Sequence, residues 1–321
     1  MLTGQNGILT QAQNAKNTTE EAQGEEANAL TSYEQIINAS TGVSLGTITG
    51  NEKTNTVTQD SLGNRVVVPA GFKVVNPNDN VEDGIIIEDV SHGATAGSQF
   101  VWIPVGTGIK RKGGTTFDVT LGRYDFDSTT GNIIGAHGGS DSEDTVEEHN
   151  KDNTPAKDIE EFRKNSIKNG GYYIGRYEAR TAIRRTSGED KLTQITEKPD
   201  DYVYNYVSQL QAAELSRNMY NDSNFTSDLV NSYAWDTAIV FIQSCSGDNR
   251  YSLQSSLNQS FEPKGTVGTG TTEDVKCNIY DMASNCYEKT TETSGNPSIP
   301  CIYRGGDWYN TTHITCGRYR I

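Results

Sequence analysis

The sequence contains little of what would place it in a membrane or on a nucleic acid. Only 33% of its 321 residues are hydrophobic. No run approaches the roughly 18 consecutive apolar residues that a membrane-spanning helix needs. Its 27 lysines and arginines are outnumbered by 42 aspartates and glutamates, which gives a formal charge of -15 at pH 7. Because so acidic a surface repels phosphate backbones, nucleic acid is not an expected partner.

Cysteine is absent from the first three quarters of the chain, whereas aromatic residues are plentiful. Two disulfides with one free thiol would suit an extracellular protein and five buried thiols a cytosolic one, and the odd count leaves both open. The 16 Tyr, 8 Phe and 3 Trp residues argue against a disordered chain. We therefore expect a folded, polar-surfaced, loop-rich protein. Its cysteines are Cys245, Cys277, Cys286, Cys301 and Cys316.

The N-terminal region predicts a helix with little apolar bulk. From Ile8 to Ile37, small residues such as Ala12 and Ala15 recur at helical spacing. Such a helix buries little area, so its stability depends on neighbours or on a filament. We expect residues 1–40 to form a helical stalk and residues 41–98 to form a linker with short β-strands.

Short strands and three further helices are predicted in the rest of the chain. β-Branched runs bounded by Gly, Asn and Asp are typical of short strands. Helices are predicted where apolar residues recur at helical spacing, and Ser227 or Asp228 would cap the last one. The interval 106–158 is poor in large apolar residues and predicts an extended, partly mobile loop. The predicted strands are Val66–Val68, Phe72–Val75, Ile85–Ile87, Gln99–Val105 and Tyr172–Ala179, and the predicted helices are Asp158–Lys168, Tyr204–Tyr220 and Leu229–Ser244.

Four segments stand out in the second part of the chain, and they are Phe100–Val105, Tyr173–Glu178, Asn278–Glu288, and Arg304–Trp308 with its Gly317–Arg320 end. Together and in this order, they resemble the formylglycine-generating-enzyme (sulfatase-modifying factor) domain, a variant of the C-type lectin fold. The resemblance implies an α+β, C-type lectin-like domain over residues 99–321, preceded by the N-terminal helix and a small β region. Within it, Gly305 and Gly306 would let two backbone segments approach closely.

The resemblance does not extend to the residues that catalysis needs. The enzyme of that family oxidises a cysteine in a sulfatase and holds copper with a cysteine pair. The matching interval here, Asp307–Cys316, contains only Cys316, and Lys289 replaces the motif's second tryptophan. A soft Cu(I) ion is weakly bound by one thiolate. We therefore predict a non-enzyme that requires no cofactor, with oxidation of a sulfatase cysteine as the alternative.

The resemblance also implies a structural calcium ion. In the family, calcium sits at the Asn-x-x-Glu turn, where main-chain oxygens and a carboxylate hold it. The matching residues are Asn285, Cys286 and Glu288. Hard oxygen ligands suit calcium. The alternative is a metal-free turn in which Glu288 forms a salt bridge.

The segment before the C-terminus resembles the variable region of diversity-generating retroelement target proteins, which use this lectin fold. Apart from Trp308, each residue from Asp307 to Thr315 has a codon reachable from an Asn codon by changing only adenines. Chance composition in an Asn- and Thr-rich chain is the alternative. Tyrosine offers contact area at low entropy cost, and Asn and Thr offer adaptable hydrogen bonds. The predicted ligand-binding residues are Tyr287, Tyr303, Asp307, Trp308, Tyr309, Asn310, Thr311, Thr312, His313, Ile314 and Thr315, of which Trp308 is expected to face the core and Tyr309, Asn310, Thr312 and His313 the surface.

These patterns predict a ligand-binding, adhesin-like protein of a bacterial cell surface or the extracellular space. Residues Met1–Lys16 resemble the segment just after the hydrophobic helix of type IV pilin-like proteins. That resemblance implies membrane attachment only through an apolar helix missing from this sequence, and assembly into a pilus. The expected partner is a protein or glycan on another cell or a phage. A structural pilin-like subunit is a further alternative.

Overall fold

The computed structural model describes residues 50–51, 53–139, 158–188, 195–199, 201–222, 224–254, 268–294, 296, 298, 301–308 and 313–320. The chain divides into the units Met1–Ser44 and Leu45–Ile321, and every described residue belongs to the second. The predicted stalk at 1–40 therefore lies outside the described residues.

The described part has an α+β architecture of three helices and many short antiparallel strands. The helices are α1 (Ile159–Asn169), α2 (Gln209–Met219) and α3 (Ser232–Ser246). The strands are β1 (Thr56–Gln59), β2 (Arg65–Val68), β3 (Phe72–Val74), β4 (Ile86–Asp89), β5 (Gln99–Pro104), β6 (Gly106–Lys110), β7 (Thr116–Val119), β8 (Tyr124–Phe126), β9 (Ile133–Ala136), β10 (Gly171–Gly175), β11 (Arg180–Thr181), β12 (Tyr202–Val203), β13 (Val275–Lys276), β14 (Ile279–Tyr280), β15 (Glu288–Thr293), β16 (Cys301–Arg304) and β17 (Arg318–Arg320).

Two sheets organise the domain. One has the strand order β10-β5-β4-β3, and the other has the order β15-β16-β17. The remaining strands form the two-stranded sheets β1-β2, β6-β7, β8-β9, β11-β12 and β13-β14. Strands β3 and β4 share a sheet with β5, so this sheet crosses the predicted boundary between residues 98 and 99.

Helix α3 lies at the centre of the core. Every residue from Ala234 to Gln243 is buried, as expected for a helix that is apolar on nearly all sides. The helix contacts β5, β7 and β15 and therefore joins the two main sheets. Burial of each large aliphatic or aromatic side chain contributes about 1.5–3 kcal/mol. Among these residues Asp236 is the one charged side chain, and its partners hold the C-terminal sheet in place.

Local capping signals explain where the helices begin and end. As predicted, α1 starts after Asp158, whose side chain accepts the Glu161 N–H at 2.8 Å, and it ends at Gly170 with a φ of 75°. Helix α2 starts later than predicted, because Ser208 caps it. The predicted caps of α3 are wrong. Asn231 is the cap, since the Asp228 carboxylate pairs with Arg217 and the Ser227 hydroxyl bonds elsewhere.

The predicted loop at 106–158 is wrong over its first part. Residues 106–136 form the hairpins β6-β7 and β8-β9. In β7, Phe117 and Val119 are buried whereas Thr116 and Asp118 are exposed, which is the alternation of a strand with one buried face. Residues 140–157 lie outside the described part. Within the part that is described, no helix is long and apolar enough to cross a membrane.

Candidate functional site: an aromatic face and an acidic cavity

Buried charges fasten the C-terminal sheet to helix α3. Arg304 of β16 and Arg318 of β17 both donate to Asp236, and the Arg318 bond is 2.5 Å long. Glu292 of β15 accepts Arg318 Nε at 2.7 Å and an Arg123 nitrogen at 2.6 Å on the same oxygen. The side chains of Asp236, Glu292 and Arg304 are fully buried. Removing one partner of such a network leaves an uncompensated buried charge, so the network fixes the position of β17.

The other face of the sheet β15-β16-β17 carries a partly exposed aromatic cluster. Lys289 pairs with Tyr303 across β15 and β16, and Tyr303 pairs with Tyr319 across β16 and β17. Successive side chains of a strand alternate between faces, so these three point away from the buried arginines. The Lys289 ammonium lies 4.1 Å from the Tyr303 ring centroid and 2.5 Å from its hydroxyl.

Two further rings extend this cluster. The Tyr287 and Tyr303 centroids are 4.8 Å apart, and His313 lies 5.7 Å from Tyr287 and 4.0 Å from Tyr319. All of these side chains are half-buried. We name Tyr287, Lys289, Tyr303, His313 and Tyr319 the recognition face. Sequence reasoning missed Lys289 and Tyr319. Each lies an odd number of positions from a buried charge, Lys289 from Glu292 and Tyr319 from Arg318, so the strand register would have placed both on the opposite face.

The other predicted ligand-binding residues are distributed differently. Asp307 is buried and its carboxylate lies 3.2 Å from His313 Nδ1. Trp308, expected in the core, is half-buried. Ile314 is also half-buried, and its N–H donates a hydrogen bond to the Tyr319 hydroxyl. Contrary to expectation, Thr315 is fully buried, and its carbonyl accepts the Trp235 indole N–H at 2.9 Å. It is therefore not part of the exposed face. Residues 309–312 lie outside the described residues.

A close backbone approach positions the turn beside this face. A Cβ atom on Gly306 would overlap the Ala283 carbonyl, and one on Gly305 would lie 2.5 Å from a Glu288 oxygen. The Trp308 N–H donates to the Asn285 carbonyl at 2.8 Å. The predicted role of the Gly-Gly pair is therefore confirmed.

The predicted calcium ligands are partly engaged with protein partners. Glu178 accepts the Asn285 side-chain amide at 2.5 Å and the Cys286 N–H at 2.9 Å. Of the three predicted ligands, Glu288 has a buried carboxylate oxygen without a hydrogen bond. Burial, reinforced by Glu178 and Asp281, raises the pKa of Glu288 well above its usual range. In the described ranges no three His, Cys, Asp or Glu side chains converge on one point, and calcium binding stays a prediction.

A cavity of about 1510 Å³ opens beside the recognition face. Tyr287, Lys289, Tyr303, Asp307 and Trp308 belong to its wall. Its described lining includes sixteen aromatic side chains and eight carboxylates, with one basic residue, Lys289. A concave site with many aromatic walls is typical of a ligand site, and the eight carboxyl groups make this one unusually acidic.

The cysteines do not form the copper pair of the resembled enzyme. Burial raises the pKa of the half-buried Cys316 thiol, which disfavours the thiolate that binds metals and attacks substrates. Cys301 is buried against the Gln209 side chain. Cys245 and Cys277 are both free and half-buried, and the neighbouring Cys277 thiol, together with burial, raises the pKa of Cys245.

Comparison with known protein families, with curated proteins and with solved structures gives no significant match.

Proposed function

We propose that the chain is a non-catalytic binding protein with a C-type lectin-like domain, which presents the recognition face to a protein or glycan ligand. The observation that carries the proposal is the division of one small sheet into two unlike sides. One side is locked by the buried arginine network, and the other holds half-buried tyrosines, a lysine and a histidine. A rigid base lowers the ordering cost of binding, because the contact residues are already in place.

The chemistry of the recognition face suits a polar ligand with some apolar surface. Burial, followed by the nearby Cys301 and Tyr287, raises the pKa of Tyr303 to about 12. Its phenol therefore stays neutral and can donate a hydrogen bond at physiological pH. Tyrosine is enriched at binding hot spots, where its ring supplies area and its hydroxyl supplies specificity.

The test is binding to arrayed glycans and purified bacterial and phage surface proteins. The wild-type chain is expected to give discrete positive spots, and Tyr303→Ala and His313→Ala are expected to lose them. Tyr202→Ala is the matched control, since Tyr202 is an exposed tyrosine on β12. Loss of binding in the control alone, or none in the two face variants, would refute the proposal.

Surface display and diversification extend the same proposal. A pilin-like stalk at residues 1–40 would carry the domain on a bacterial cell surface or pilus, and substitutions between Asp307 and Thr315 would change the ligand. The buried Thr315 and Asp307 support framework roles at the two ends of that segment. Sequencing of the flanking DNA tests the idea. A reverse-transcriptase gene and a near-copy of the 3′ end differing at adenines are expected, and their absence would contradict diversification.

Calcium at the Asn285–Glu288 turn would be a structural addition to this function. Glu288 supplies the carboxylate that would hold the ion, because one of its oxygens is buried without a hydrogen bond. A rise in Tm with calcium chloride that EDTA reverses and Glu288→Gln abolishes is the expected result. An identical Tm in calcium and EDTA would contradict it.

The alternative, oxidation of a sulfatase cysteine, draws less support from the site. The half-buried Cys316 is the one cysteine of its interval, and its raised pKa opposes thiolate formation. Copper-dependent oxidation of a cysteine peptide by the wild-type chain, lost in Cys316→Ser, would establish the alternative.

A further inference from the structure

The cavity beside the recognition face has the composition of a cation site. Its described lining holds eight carboxyl groups and one lysine, and that lysine is already in contact with Tyr303. Burial raises the pKa of Glu178, Glu197 and Glu288, so these groups would gain most from a cation that pairs with them. Aromatic faces add an attraction for cations through the ring quadrupole.

Glu197 is the group that points to a specific ligand. The residue is only 8% exposed and belongs to the cavity wall. Its main chain is held on both sides, because its N–H donates to the Ser98 hydroxyl at 3.2 Å and its carbonyl accepts the Gln99 N–H at 2.8 Å. No hydrogen bond to its carboxylate is found among the described residues, and the charged group that interacts with it is the like-charged carboxylate of Glu178. A mostly buried carboxylate is normally hydrogen-bonded or paired with a cation, so its environment calls for an explanation.

The position of this carboxylate depends on a neighbouring glycine. A Cβ atom on Gly175 would lie 3.0 Å from Glu197 Oε2, so the side chain occupies the space that Gly175 leaves open. Gly175 also lines the cavity. Burial raises the pKa of Glu197 to about 8. Without a partner, the carboxyl therefore holds a proton at neutral pH.

A bare metal ion fits this arrangement poorly. Metal ions need several ligands around one point, and within the part of the chain that the structure describes no three suitable side chains converge. An organic cation needs fewer polar ligands than a metal ion, since one carboxylate and aromatic walls suffice to bind it. Tyr177 and Tyr280 provide such walls, with centroids 5.0 Å apart. Arg176, whose guanidinium lies over both rings, donates to the Gln99 side chain at 2.6 Å and is not part of the lining.

We propose that the cavity binds a primary ammonium group, such as a lysine side chain of the ligand, through an ion pair with Glu197. The inference rests on the proposed binding function in one respect, since a ligand seated on the recognition face would insert this group into the adjoining cavity. The two claims fail separately, because His313 belongs to the face but not to the cavity wall.

The test is calorimetric titration of the full chain with n-butylammonium chloride at constant ionic strength. We expect Glu197→Gln to bind at least tenfold more weakly, which corresponds to about 1.4 kcal/mol. Glu161→Gln, which removes an exposed carboxylate at the same cavity, and His313→Ala are the matched controls and should bind as the wild type does. The neutral analogue 1-butanol should not distinguish wild type from Glu197→Gln.

A second measurement needs no variant. Ion pairing requires Glu197 to release its proton, so the apparent heat of butylammonium binding at pH 7 should change with the ionisation enthalpy of the buffer. No binding by the wild type, equal affinity in Glu197→Gln, or binding without proton release would each overturn the inference. If the wild type still binds an arrayed ligand when any of these results is found, the proposed function of the recognition face holds and the ammonium site alone is refuted.

Discussion

Replacing Asp236 with asparagine should loosen the C-terminal sheet more than any exposed charge substitution. Asp236 accepts hydrogen bonds from Arg304 and Arg318 and from the Tyr124 N–H at 2.9 Å. With Asp236 neutral, Arg304 and Arg318 each lose a buried anionic partner. Removal of one partner from a buried ion pair costs about 3–5 kcal/mol. We therefore expect the free energy of unfolding to fall by that amount.

Urea unfolding at pH 7, followed by tryptophan fluorescence, measures the effect. The matched control is Glu160→Gln, which removes an exposed ion pair with Arg163 within helix α1. Exposed helix pairs contribute about 0.3–0.5 kcal/mol, so the control should nearly coincide with wild type. An Asp236→Asn variant within 1 kcal/mol of wild type would refute the bracing role of the network. Because β17 also carries Tyr319, the same variant should weaken ligand binding.

Three further predictions concern other buried groups. The pKa of Glu197 is raised from 4.5 to about 8. Folding therefore takes up a proton between these values, and wild-type stability should fall as the pH rises through them, by up to about 5 kcal/mol at 1.36 kcal/mol per unit. Urea midpoints across this range should lack that fall in Glu197→Gln, and parallel curves would contradict the assignment. Gly306→Ala should cost about 1–3 kcal/mol, because its methyl group would overlap the Ala283 carbonyl; an unchanged Tm would argue against the close approach. Oxidised glutathione should link the neighbouring Cys245 and Cys277 thiols slowly by disulfide exchange, because Cys277 and burial raise the pKa of Cys245 and disfavour its thiolate; peptide mapping that finds neither residue in a disulfide would exclude this.

Local signals predicted the elements that depend on neighbours in sequence. Asp158 and Gly170 mark the two ends of α1 because a cap acts within one helical turn. The Asn231 cap of α3 was missed because Asp228, an equally good capping residue, is drawn away by Arg217. That competition is tertiary, and no local pattern contains it.

In the candidate site too, the sequence predicts the residues that their type identifies and misses those that only the tertiary fold brings together. The Gly-Gly pair and the Tyr287 and Tyr303 rings could be identified from the sequence because their residue types are specialised. Lys289 and Tyr319 could not, because their neighbourhood depends on the register of three strands. The Glu178 bond to Asn285 spans 107 positions. The acidic cavity likewise collects carboxylates from distant segments, which a scan for local clusters does not detect.

The most direct test of the central claim compares wild type with a Tyr303→Ala/His313→Ala double variant on the same glycan and surface-protein array. Both substitutions remove half-buried rings from the recognition face and leave the buried arginine network intact. Wild type should bind at least one arrayed ligand, and the double variant should lose at least about tenfold in affinity while unfolding at a similar urea concentration. Equal binding by the two proteins, or no binding by wild type, would contradict the claim.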